Sequence, residues 1–115
     1  MVIAVSGTRT LTNETVRSLV YATLDKYAES ITKVIEGGAL GPDTFAKEWA
    51  LDRNVPHKTY PADWSIGRRA GPIRNVQLVA ECDKVIAFWD GISPGTKHCI
   101  GEAKRKGKLW KVLEV

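Results

Sequence analysis

The chain has 115 residues, 43% of them hydrophobic and 26% charged, which is the size and mixture of one globular domain and excludes a disordered or fibrous chain. A formal net charge of +4 is modest for a dedicated nucleic-acid binder, and no apolar run is long enough to cross a bilayer, so a soluble cytoplasmic protein with no membrane partner is expected. The opening run Met1 to Val5 lacks the basic flank and cleavage site of a signal peptide. Cys82 and Cys99 lack CxxC spacing and read as reduced thiols on helices.

Short β-branched runs alternate with amphipathic stretches, the pattern of βαβ units that build a parallel sheet. Val2 to Val5 is the first predicted strand. After Ser6-Gly7-Thr8-Arg9, a helix capped by Thr12 or Asn13 carries Val16, Leu19, Val20, Thr23, Leu24 and Tyr27 on one face. Lys33 to Ile35 is the second strand, ended by Glu36-Gly37-Gly38-Ala39. Gly41-Pro42-Asp43 opens the second helix with proline in the first turn, where its missing N–H costs nothing. That helix turns Ala46, Trp49 and Ala50 inward, with Phe45 beside them.

A short third strand runs from His57 to Tyr60. Pro61 to Pro72 is irregular, interrupted by Gly67 and Gly71, and a loop of that length is a candidate lid. A third helix follows with Ile73, Val76, Val79 and Ala80 inward. Lys84 to Trp89 is the most apolar strand and is expected at the sheet centre. Asp90 to Gly95 leads into a last helix from about Thr96 to Lys106, with Thr96 as its cap, and Leu109 to Leu113 closes the sheet. Residues 1–115 thus form a single domain of the Rossmann-like three-layer α/β class, with an open parallel sheet of five strands. Lys104, Arg105, Lys106, Lys108 and Lys111 read as a solvated face.

In such a sheet the strand C-termini and helix N-termini share one edge, and ligands bind in the crevice there. The loops Ser6 to Arg9, Glu36 to Ala39 and Asp90 to Thr96 all fall on that edge. Glycine lets backbone N–H groups approach a phosphate, and the following helix offers its positive end. Gly7, Gly37, Gly38 and Gly95 therefore belong to a candidate anion site, joined by Arg9 and by Arg74 beside Asn75, since arginine grips phosphate bidentately. Thr8, Ser93 and Thr96 offer hydroxyls, and His98 lies in the first turn of the last helix. Glu36, Asp63 and Asp90 are placed to bond ribose hydroxyls, and Glu36 and Asp90 are the candidate catalytic carboxylates. Asp43 reads as a first-turn residue favoured by the helix dipole. Trp64 and Trp89 offer faces for a base, whereas Trp49 reads as core. No metal or other cofactor is expected, because the histidine has no second ligand at suitable spacing.

Taken in order, Ser6-Gly7-Thr8-Arg9, Gly37-Gly38-Ala39 with Gly41-Pro42-Asp43 and Trp49-Ala50, Tyr60 to Trp64, Ala70-Gly71 with Arg74-Asn75, and Phe88 to Gly91 with Ser93, Gly95-Thr96 and His98 resemble the YspA-like (DUF2493) family of the SLOG superfamily, found in bacteria and phages. The resemblance implies a sheet of order 3-2-1-4-5 and a nucleotide-related ligand, as in relatives that are phosphoribohydrolases of the LOG type or nucleotide sensors. It also extends to the DNA-processing protein A family, which binds single-stranded DNA. Where the hydrolases and the deoxyribosyltransferases carry a glutamate after Gly-Thr, this chain has Cys99. A thiol cannot stabilise an oxocarbenium-like centre as a carboxylate does.

The leading expectation is therefore binding of a nucleotide or nucleotide-derived signal, as a sensor or sequestering module, by a homo-oligomer. N-glycosidic hydrolysis or transfer on a nucleotide is the first alternative. Single-stranded nucleic-acid binding, leaning on the basic C-terminal face, is the second.

Overall fold

The computed structural model describes residues 1–115. Five strands form one parallel sheet in the order β3-β2-β1-β4-β5: β1 is Val2–Gly7, β2 Lys33–Glu36, β3 His57–Thr59, β4 Lys84–Trp89 and β5 Leu109–Glu114. The helices between them are α1 (Glu14–Lys26), α2 (Pro42–Asp52), α3 (Ala70–Glu81) and α4 (Pro94–Arg105), with single 3-10 turns at Ala28–Ser30 and Trp64–Ile66. No helix is long and apolar enough to cross a membrane.

Alternation along the strands divides the core between the two faces. From β1, Ile3 and Val5 point to a cluster containing Val16, Val20 and Leu24 of α1 and Ala46, Trp49 and Ala50 of α2. Ala4 points the other way, into Leu78, Val79, Cys99 and Ala103 of α3 and α4. The sheet is therefore covered on both faces, as a parallel sheet requires. Its order reverses direction at β1, which pairs with β2 on one side and β4 on the other, and that places the switch point between the β1 and β4 loops.

Several local expectations hold. Asn13 caps α1, its side chain accepting from the Val16 amide, and Pro42 sits in the first turn of α2. Others need correction. The irregular segment is shorter than expected, because α3 already begins at Ala70 and runs through Pro72, a first-turn site where proline forfeits no helical bond. The buried face of α3 is Ala70, Gly71, Asn75, Leu78 and Val79, whereas Ile73, Val76 and Ala80 face solvent. The helix is rotated because buried Asn75 finds acceptors on α4, which apolar periodicity cannot register. Helix α4 starts at Pro94 with Ser93 in the cap position, so Thr96 is a buried first-turn residue and not the cap.

Candidate functional site

Close contacts among three loops build the edge. Gly7 is needed because a Cβ there would lie 2.4 Å from the Pro42 ring, so glycine brings the β1 loop against the start of α2. At Gly41, with φ 79°, a Cβ would meet the Leu11 and Thr8 carbonyls at 2.9 and 3.0 Å. On the other side, the Thr8 amide donates to the Phe88 carbonyl at 3.0 Å. The Thr8 hydroxyl donates to Asp90 at 3.3 Å and accepts from the Asp90 amide at 3.2 Å.

Between these loops and α3 lies an open crevice of about 870 Å³. Of the expected ligand residues, Ser6, Gly7, Thr8, Arg9, Gly37, Gly38, Trp64, Arg74, Asn75, Asp90, Ser93, Gly95 and Thr96 line it, whereas Glu36, Asp63, Trp89 and His98 do not. Asp63 lies outside, where its carboxylate accepts from the Ser65 amide and hydroxyl and so caps the 3-10 turn. His98 is also outside, its Nδ1 3.2 Å from Asn75 Nδ2. No three metal-ligating side chains come together. Asp43, Leu40 and Ile92, not singled out as ligand residues from the sequence, also line the crevice.

The Gly-rich β2 loop is held from within. The Gly37 and Ala39 amides donate to Asp43 Oδ2 at 3.0 and 3.3 Å, and the Gly38 amide donates to Glu36 Oε1 at 2.9 Å. Amides expected to meet a phosphate thus already have carboxylate acceptors. Glu36 spends its other oxygen on the Thr59 hydroxyl, and it neither lines the crevice nor reaches solvent; burial raises its pKa. Asp43 is buried with Oδ1 unpartnered. Burial, reinforced by neighbouring Glu36, pushes its pKa up to about 7. The dipole reading of Asp43 was incomplete, since the side chain ties the loop to the helix.

Asp90 is an anchor. Its Oδ1 accepts from the Ser93 and Ile92 amides at 2.8 and 2.9 Å as well as from Thr8, and these bonds hold its pKa below the ordinary carboxylate range. Glu36 is therefore not free for acid–base work, and Asp90 is held ionised with Oδ1 committed to its loop. Cys99 is fully buried, and burial pushes its thiol up to about 11, which removes a thiolate at neutral pH.

Anion-binding capacity lies elsewhere on the rim. The Gly95 and Thr96 amides in the first turn of α4 have no backbone acceptor. Arg9 is exposed, and Arg74 reaches across from α3, its Nη1 donating to the Gly37 carbonyl at 2.7 Å and its Nε to Asn75 at 3.1 Å. Asn75 in turn donates to the Gly95 carbonyl, so α3 and α4 are joined at the crevice. Trp64 forms one wall with its ring over Gly71, where a Cβ would meet it at 3.2 Å, yet it remains 62% exposed. Trp89 is turned aside, donating to the Ser93 carbonyl. The basic C-terminal cluster is remote: Lys104 and Arg105 end α4, about 15 Å along the helix from the crevice, and Lys108 caps the α3 carbonyls of Val79 and Ala80.

A 3-2-1-4-5 parallel sheet with three interlocked loops around a crevice at its switch point defines a small Rossmann-like domain. The chain belongs to the YAcAr family (YspA, cpYpsA-related SLOG family), whose profile matches residues 1–67. It is 41% identical over 81 residues to the Gene 61 protein of Mycobacterium phage D29, a match covering 64% of this chain and 65% of that protein. Among solved structures it is similar to DNA processing protein A from Helicobacter pylori, with a TM-score of 0.74 and 19% identity, over 100% of this chain and 66% of that one. The likeness is one of fold. That protein was studied for its single-stranded DNA binding mode.

Proposed function

We propose that this chain binds single-stranded nucleic acid, seating a nucleotide unit in the crevice. The observation that carries the reading is the largely exposed Trp64 ring in a wide crevice that Arg9, Arg74 and the first turn of α4, with its free Gly95 and Thr96 amides, also line. An exposed indole face stacks any base, and arginines beside it track the phosphates. Arg68 and Arg69, exposed in the same segment as Trp64, add positive charge to that segment. The structural neighbour, a single-stranded DNA binder, supports the same reading.

A free nucleotide-like ligand is the second reading, favoured by the buried Asp43 carboxyl at the crevice, which suits the sugar of a single nucleotide as well as that of a strand. Glycosidic cleavage is not proposed, since Cys99, Glu36 and Asp90 are all committed or buried.

Fluorescence anisotropy with a labelled ten-residue single strand, a duplex of the same sequence and nucleoside monophosphates as competitors tests the choice. Single strands are expected to bind in preference to the duplex, with affinity falling as salt rises. Mononucleotides displacing the strand at equal concentration would shift the conclusion to the second reading. Equal binding of duplex and single strand would refute the crevice reading.

A further inference from the structure

We propose that Asp43 reads a sugar hydroxyl of the bound nucleotide unit through its unpartnered Oδ1, so that the crevice prefers ribose to deoxyribose. The inference rests on the reading that a nucleotide unit occupies the crevice, and it names the sugar that the site selects.

The carboxylates at this edge differ in what they have left to give. Glu36 is spent on the Thr59 hydroxyl and the Gly38 amide, and Asp90 commits Oδ1 to a loop turn while its other oxygen stands unburied, open to water. Asp43 commits only Oδ2, to the Gly37 and Ala39 amides, while Oδ1 is buried at the crevice without a partner. A buried polar atom without a partner is uncommon and costly, and beside a ligand cavity such an atom is placed for a ligand donor to complete its bond.

The chemistry of the partner follows from the surroundings. A phosphate oxygen is disfavoured there, because Glu36 and Asp43 share the corner. A hydroxyl both donates and accepts, so it satisfies Oδ1 whether the carboxyl is ionised or protonated, whereas a base N–H satisfies only the ionised form. The corner also lies just beyond the end of β2, where Rossmann-type domains bring an acidic group to ribose. Arg74 stands beside this corner, its guanidinium over Gly37 within 2.3 Å of where a Cβ would stand, so a phosphate gripped by Arg74 would place its sugar nearby.

The experiment compares labelled oligonucleotides of one sequence carrying ribose, deoxyribose or 2′-fluoro sugars, by anisotropy, on the wild type, Asp43→Ala and Asp43→Asn. The ribose strand is expected to bind the wild type about tenfold more tightly than the deoxyribose strand, the cost of one missing buried hydrogen bond. The 2′-fluoro strand, which keeps the ribose pucker without the donor, should behave as deoxyribose. Asp43→Ala should erase the ratio and Asp43→Asn should keep part of it. AMP and dAMP competition shows whether the same ratio holds for a free nucleotide. Equal binding of the three sugars, or a ratio unchanged in Asp43→Ala while all affinities fall together, overturns the proposal and leaves the crevice reading standing. Binding of none of the strands or nucleotides overturns both. Should Asp43→Ala fail to fold, the wild-type sugar ratio together with Asp43→Asn, which preserves the loop acceptor, decides the matter.

Discussion

Replacing Asp43 by asparagine removes a buried titrating group while leaving an oxygen for the Gly37 and Ala39 amides. In the folded chain the carboxyl holds its proton up to about pH 7, against an ordinary value of 3.8. Between those limits the native state binds a proton that the unfolded state has lost, so wild-type stability falls as pH rises. At about 1.4 kcal/mol for each pH unit, the loss across the window reaches about 4 kcal/mol. The asparagine variant has no such loss. Urea denaturation followed by tryptophan fluorescence at pH 4.5, 6 and 7.5 should give stability curves that converge or cross as pH rises, the wild type losing ground steadily. Asp25 and Asp90 titrate in both proteins, so the difference between the curves reports Asp43 together with its coupling to Glu36. Parallel curves would refute the assignment of a proton to this side chain.

Trp64→Ala should weaken single-strand binding about tenfold, as expected for one lost base stack, with little change in melting temperature because the ring is mostly exposed; anisotropy and thermal melting measure the two. Gly7→Ala should destabilise the fold by about 2 kcal/mol, because the added Cβ meets the Pro42 ring and overpacking costs this much; urea titration checks it. Asp25→Ala leaves the buried Trp49 indole, which donates to Asp25 at 2.8 Å, without its acceptor and Arg53 without its bidentate partner. A loss of about 2 kcal/mol in urea unfolding is expected. Arg74→Ala should reduce both the affinity for single strands and the slope of log affinity against log salt, since one phosphate contact is removed.

Most of the architecture is legible in the residues. Alternating Ile3, Ala4 and Val5, the Asn13 cap and the proline opening α2 each follow from a local rule that the packing does not overturn. The crevice is legible too, because parallel connections force the Gly-rich loops onto one edge. What could not be read was how the polar atoms of that edge are shared. Gly37 and Gly38 look like a phosphate cradle, but their amides belong to carboxylates six and two residues away in sequence, and only the folded loop shows it. The inward face of α3 was misjudged for a related reason. Asn75 is buried because the Gly95 carbonyl and His98 receive it, and a rule built on apolar spacing gives that position to Val76.

The mutual locking of the β1, β2 and β4 loops has a consequence for how ordering entropy is distributed on binding. Gly7 against Pro42, Gly41 against two carbonyls, and the paired bonds between Thr8 and Asp90 make that half of the crevice a single rigid piece. The facing segment around Trp64 is fastened mainly by its own turn, capped by Asp63, and by the ring's seat on Gly71. A ligand therefore meets one half already in its bound shape and must immobilise only the other, so the entropic cost of binding falls on one short stretch of chain. Amide hydrogen exchange should register that asymmetry directly, with ligand protection gained at residues 62 to 69 and little changed at the β1 and β4 loops.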